Sequence, residues 1–213
     1  MADARDAMLE RIRAGLRDLA PVDPVIGYAA IPRTYIRAGQ LDLAARLHLL
    51  KERLRDYDTN VVETDAASLP KTIREVLASH QEKNVIAADG LPEEILPNNF
   101  PFISERNASI ETLNLCDGIV TACSVAIAFT GTIVLTHGPG EGARRLTLVP
   151  DRHLCIVRAE QVVETVPEAI DRLAPFAADP LTFISGPSAT ADIEMTRIRG
   201  VHGPRFLDVV LVQ

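Results

Sequence analysis

The chain has 213 residues, 47% hydrophobic and 24% charged, which fits one sizeable globular domain or two small ones and excludes disordered and fibrous classes. Its formal net charge is −7, and no Lys/Arg cluster extends beyond a few residues. The basic footprint of a duplex-binding protein is missing, so no nucleic-acid partner is expected.

Ala4–Leu19 places Met8, Leu9, Ile12, Leu16 and Leu19 at helical spacing, and Pro21 and Pro24 end the pattern. Pro21–Gln40 reads as a connector rich in Pro and Arg. Leu41–Tyr57 is a second amphipathic helix, with Leu43, Leu47, Leu50 and Leu54 on one stripe. Residues 1–57 therefore form an N-terminal helical segment in front of an α/β domain spanning 58–213. Within that domain Asn60–Glu63 reads as a strand, Leu69–Ser79 as a helix and Asn84–Ala88 as a strand. This alternation with short connections points to a parallel sheet. Leu91–Glu105, with Pro92, Pro97 and Pro101, is a loop or short helix. Strands follow at Gly118–Cys123, Gly131–Thr136, Arg145–Val149 and Leu154–Arg158. Pro167–Leu173 is a helix with Pro in its first turn, and Leu181–Ile184 and Phe206–Val212 are the last strands.

The longest apolar stretch, Ile119–Leu135, is broken by Thr121, Ser124, Thr130, Gly131 and Thr132, so no membrane span is expected. Met1–Ala20 has no apolar core of a secretory signal, which makes the cytoplasm the expected location. Cys116, Cys123 and Cys155 are odd in number and form no C-x-x-C pair. They read as buried reduced thiols, and neither a metal nor a cluster of its own is expected for this chain.

The segment Ser185–Pro204, S-G-P-S-A-T-A-D-I-E-M-T-R-I-R-G-V-H-G-P, is the richest in chemistry. It follows an apolar strand, where α/β proteins place ligand loops. Ser185, Gly186, Pro187, Ser188 and Thr190 supply small residues and hydroxyls whose backbone N–H groups suit an anion. Alternatively, Ser188 or Thr190 caps a short helix. Asp192 and Glu194 share a face on a strand. Two acids in one pocket would push one carboxyl up and supply an acid or base, which makes them the catalytic candidates. Otherwise one accepts backbone N–H bonds and the other is solvated.

Thr130, Gly131 and Thr132 combine close backbone approach with two hydroxyls, or form a plain turn. His137–Arg145 holds three glycines, Gly138, Gly140 and Gly142. It reads as a mobile loop with Arg144 placed for carboxylate or phosphate capture. The Lys-Ser/Thr ending of a nucleotide-binding P-loop is missing. His202, beside Gly203, is the best histidine for a ligand contact, although a histidine bonded inside a loop is the commoner outcome. His153 starts a strand, and His48 and His80 read as helix-surface residues. No His pair has metal-ligand spacing.

Five segments come in a telling order: Asp117-Gly-Ile-Val120, Ala126-Ile-Ala-Phe-Thr-Gly-Thr132, Arg145-Leu-Thr-Leu-Val-Pro-Asp-Arg-His153, Ser185-Gly-Pro-Ser-Ala-Thr-Ala-Asp-Ile-Glu194 and Gly200-Val-His-Gly-Pro-Arg205. Together they resemble the LUD-domain family, within it the lactate utilization protein C (YkgG-like) group, most strongly over residues 117–212. The resemblance implies an α/β sandwich similar to the CoA-transferase and ribose-5-phosphate isomerase folds, with the two helices in front. It also implies a role in oxidising L-lactate to pyruvate, as a cluster-free subunit beside iron–sulfur partner subunits, with a small anion as ligand. No directly bound cofactor is expected. In one respect the chain departs from the family: Phe129 stands before Thr-Gly-Thr, where an acid is usual. Two further functions are open, the first on the loops Thr130–Thr132, Gly138–Arg145 and Ser185–Glu194, the second on that departure. One is a stand-alone isomerase- or acyl-transferase-like enzyme acting on a phosphorylated or CoA-linked substrate. The other is a binding module without chemistry.

Overall fold

The apolar runs pair mainly in parallel, as their alternation with helices requires. The computed structural model describes residues 3–17, 23–190, 198–200 and 202–213. The chain divides into two compact units, Met1–Tyr35 and Ile36–Gln213. In the first, helix α1 spans Ala4–Gly15 and helix α2 spans Pro24–Ala30. The second helix lies inside the stretch expected to be a connector. Asp23 forms it by accepting the N–H groups of Val25 and Ile26 at 2.8 and 3.3 Å, with Pro24 in its first turn.

The second unit begins with α3 (Leu43–Asp56), β1 (Asn60–Thr64), α4 (Leu69–Ser79), β2 (Val85–Ala87), β3 (Ile103–Ser104) and α5 (Ile110–Leu115). It continues through β4 (Gly118–Thr121), β5 (Val125–Ile127), β6 (Thr132–Leu135), β7 (Arg152–Arg158), β8 (Val162–Val163) and α6 (Val166–Leu173). The last strands are β9 (Thr182–Ile184), β10 (Ala189–Thr190), β11 (Ile198–Arg199) and β12 (Phe206–Val212). Six strands form one all-parallel sheet in the order β1-β12-β7-β4-β2-β3. Four form a mixed sheet, β8-β5-β6-β9, and β10 and β11 form a separate antiparallel pair.

Alternation along β7 and β12 sorts the core into layers. Leu154, Ile156, Val210 and Val212 face α4, which buries Leu69, Ile73, Val76 and Leu77. Cys155, Val157, Leu207, Val209 and Leu211 face the other way, toward Leu47, Leu50 and Leu54 of α3 and toward Ala126, Ile133 and Leu135 of the small sheet. The outer face of the small sheet packs Val125, Ile127 and Val134 on Ala169 and Leu173 of α6. The order is helix, parallel sheet, mixed sheet, helix, with α3 sharing the inter-sheet layer. This is the expected α/β class.

One expected strand is absent. Arg145–Val149 forms successive turns, with the N–H of Leu146 on Ala143 O at 2.8 Å and those of Leu148 and Val149 on Arg145 O. Of this apolar run only Leu146 and Thr147 are buried, which a turn achieves without a sheet partner.

Charges are buried where the parallel strands begin. Arg152 Nε lies 2.8 Å from Glu82 Oε1, and its Nη1 donates to Asp208 Oδ2 at 3.0 Å. Asp208 also accepts from Asn60 Nδ2 at 2.8 Å and meets His80 Nε2 at 3.3 Å. His80, read as a surface residue, thus turns inward from the end of α4. The Glu82 contact is a close charge pair without an aligned hydrogen bond. Burial accordingly pushes the Glu82 carboxyl up to about 7; Arg152 opposes this, while Asp208 and Asp117 add to it. The unfolded chain loses this proton near 4.5, so between about 4.5 and 7 the folded state holds a proton that the unfolded state has lost. Stability present below that window therefore falls as pH rises through it. Glu82→Gln is expected to abolish this slope and to raise stability at pH 8 by about 1–2 kcal/mol, read from urea midpoints at pH 5 and pH 8.

Candidate functional site

A cavity of about 340 Å³ opens between the two sheets, at the lower end of the range for small-molecule sites. Strand β9 and the loop after it form one wall, through Thr182, Ser185, Gly186, Pro187 and Ser188. His153 of β7 and Leu207 of β12 come from the facing sheet, Arg144 and Thr147 from the turn before β7, and His202, Gly203 and Pro204 from the loop before β12. The cavity lies at the end of β9 but at the beginning of β7 and β12. It is therefore not at the carboxyl ends of the parallel strands, where open α/β sheets commonly bind ligands.

The loop expected to be a site is sewn to its neighbour. Ser188 N donates to Pro204 O at 2.8 Å, Gly200 N to Ser188 O at 2.9 Å and His202 N to Ser188 Oγ at 3.2 Å. Ser188 caps no helix; the backbone passes directly into β10. Gly186 sits at φ +80°, and a Cβ there would lie 2.4 Å from Tyr57 Cβ, so only glycine holds this bend. Behind the wall, Thr132 Oγ1 meets Ser185 Oγ at 2.8 Å and Thr130 Oγ1 at 2.7 Å. Thr132 and Thr130 therefore stand behind Ser185, one and two hydrogen bonds removed. Gly131, at φ +61° in the turn joining β5 to β6, backs onto Arg53 with no room for a side chain. Phe129, in the place of the usual acid, is 62% exposed.

Asp192, Glu194 and the side chain of Thr190 lie outside the described residues. Among the described residues lining the cavity there is no carboxylate, while Arg144, His153 and His202 are present. Arg144 is exposed, and its Nη1 donates to Thr147 Oγ1 at 3.1 Å. A guanidinium beside hydroxyls, with no acid beside it among the described residues, suits an oxyanion.

The glycine loop leading to Arg144, expected to be mobile, is tied down. Glu141 is buried and accepts the N–H groups of Thr136 and His137 at 2.5 and 3.1 Å, together with Ser124 Oγ at 2.5 Å. Glu105, also buried, accepts the N–H of Ala143 at 2.8 Å. His137 Nδ1 lies 2.8 Å from Gly142 O and so donates to it; Nε2 lies 2.7 Å from Thr182 Oγ1.

Sequence reasoning missed His153, which is only 1% exposed. Its Nε2 lies 2.7 Å from Thr121 Oγ1 on the neighbouring strand. Thr121 in turn reaches Cys155 Sγ at 3.9 Å. The Cys155 thiol is pushed down by its neighbours, Cys123 first and then His153 and Thr121, against the effect of burial. Cys123, whose S–H donates to Gln161 Oε1 at 3.6 Å, is pushed well up. Alternation of His153 and Cys155 along one strand was the signal available in the sequence; their pairing with Thr121 was not. Among the described residues, no group of three or more His, Cys, Asp or Glu side chains is arranged to hold a metal ion. Likewise among them, no helix is long and apolar enough to cross a membrane.

Fold and cavity together define a two-sheet α/β domain with a polar cleft between its sheets. The chain belongs to the LUD domain family, whose model matches residues 36–212. It is 37% identical to lactate utilization protein C of Deinococcus radiodurans, over 99% of this chain and 96% of that one. It is 29% identical to the protein of the same name from Exiguobacterium sp., over 98% and 95%. It is also similar to the crystal structure of a DUF162 family protein from Deinococcus radiodurans, with TM-score 0.72 and 34% identity, covering 82% of this chain and 100% of that one.

Proposed function

We propose that this chain is an accessory, cluster-free subunit of a cytoplasmic system oxidising L-lactate to pyruvate, and that its inter-sheet cavity binds a small organic anion. The observation that carries the reading is the cationic, hydroxyl-lined cavity in a chain similar over almost its full length to proteins named lactate utilization protein C. Arg144 receives the carboxylate, and Ser185, Ser188 and the N–H groups near Gly186 and Gly203 line its path. The three cysteines are buried and form no C-x-x-C pair, which supports the reading that electron carriers belong to iron–sulfur partner subunits.

Calorimetric titration with L-lactate, pyruvate and inorganic phosphate tests the cavity. At least one carboxylate is expected to bind, and Arg144→Ala is expected to weaken it about tenfold, the loss of one charge-assisted pair. Failure of all three anions to bind at millimolar concentration removes the anion reading, and tight binding of phosphate alone moves the function to phosphorylated substrates. Co-purification from native cells without any iron–sulfur protein removes the accessory-subunit reading.

A further inference from the structure

The wall opposite Ser185 carries an imidazole whose hydrogen bonding fixes which nitrogen it offers. Thr121 Oγ1 stands between two neighbours, His153 Nε2 at 2.7 Å and Cys155 Sγ at 3.9 Å. A buried hydroxyl is best satisfied when it accepts one hydrogen bond and donates another. The sulfur is the acceptor of this contact, since its own S–H points away, to Ala122 O at 3.7 Å. The Thr121 hydroxyl therefore donates to Cys155, and His153 Nε2–H donates to Thr121. In a neutral ring that leaves the proton on Nε2 and a lone pair on Nδ1. Nδ1 has no hydrogen-bond partner among the described residues, and the ring, 99% buried, lines the cavity.

We infer that His153 is a ligand-contacting residue that presents its Nδ1 lone pair to a hydroxyl group of the bound anion, with Thr121 as the positioning residue. The ligand class is a small hydroxy-carboxylate, with its carboxylate on Arg144 and its hydroxyl on His153. An oxo analogue brings a carbonyl acceptor against the lone pair and leaves Nδ1 unsatisfied. Sites built around a substrate hydroxyl reject the analogue lacking it far better than apolar pockets reject a missing methylene. The inference rests on the anion-binding reading above and adds a direction to it: the cavity favours the hydroxy acid over its oxidised product.

Two measurements decide it. Calorimetry of the full chain with L-lactate and pyruvate as probes is expected to give at least about tenfold tighter binding of lactate, the effect of one unpaired buried acceptor. His153→Gln keeps a polar group near the Nε2 position, and with it the tie to Thr121, but removes the Nδ1 acceptor. It is expected to bring the two affinities within about threefold while its unfolding midpoint stays near the wild-type value. His153→Asn, which places a carbonyl oxygen near the Nδ1 position, is expected to restore part of the preference. Equal wild-type affinities, or a preference that survives in His153→Gln, overturn the inference while leaving anion binding intact; no binding at all overturns both. Independently of any ligand, long-range proton–nitrogen NMR assigned through His153→Gln is expected to show the Nε2–H tautomer. In Thr121→Val that resonance is expected to shift. An Nδ1–H tautomer in the wild type at neutral pH sinks the inference.

Discussion

Replacing Arg152 by alanine is expected to destabilise the fold by about 3–5 kcal/mol at pH 8, because it strands buried carboxylates. Glu82 and Asp208 are 8% and 1% exposed, and Arg152 is the only described guanidinium within ion-pairing distance of either. Its guanidinium also lies 4.5 Å from the centre of the Phe206 ring, so stacking is lost along with charge. Urea denaturation at pH 8 and pH 5 measures the effect. The loss shrinks at pH 5, where Glu82 carries its proton and only Asp208 is left without its cation. Adding Glu82→Gln and Asp208→Asn to Arg152→Met, an uncharged set of similar volume, is expected to recover most of the stability. A penalty independent of pH and unrelieved by those additions would mean that packing, not charge, holds the strand ends.

The second large effect falls at Gly186. Gly186→Ala combines a left-handed backbone, at φ +80°, with a methyl group driven to 2.4 Å from Tyr57 Cβ and 3.2 Å from its carbonyl oxygen. Strain and overpacking together are expected to cost about 2–4 kcal/mol. The loop must then lift from Tyr57, taking Ser185 and Ser188 with it, so the affinity for the anion proposed above is expected to fall as well. Gly138→Ala is the control: its nearest outside atom would be Thr136 Oγ1, at 3.5 Å, and its backbone is ordinary. A change below about 0.5 kcal/mol is expected there. Equal costs at the two glycines would refute the account of the bend.

Where one element's own residues carried the pattern, the sequence was readable. Helix α4 has the bounds that its apolar spacing indicates, because Leu69, Ile73, Val76 and Leu77 recur on one face. Strands β7 and β12 read as apolar runs because both faces are covered. The division into two sheets was hidden. Strands β5 and β8 have three and two residues, fully buried and without alternation, so no periodicity marks them. Arg145–Val149 misled for the opposite reason, since an apolar run is equally at home in buried turns. For the site, the glycine–hydroxyl segments at Ser185 and His202 stood out by composition and line one cavity. His153 did not, because its character comes from Thr121, 32 residues away and reached only through strand pairing.

The two buried glutamates that tie down the glycine loop bear on the thermodynamics of any docking event at Arg144. Glu141 and Glu105 already hold the main chain on both sides of Gly142. An arriving anion therefore has little backbone freedom to freeze. What remains is the ordering of the Arg144 side chain, on the order of 0.5–1.5 kcal/mol. Association should accordingly follow rigid-body kinetics, with ionic strength rather than loop closure setting its rate.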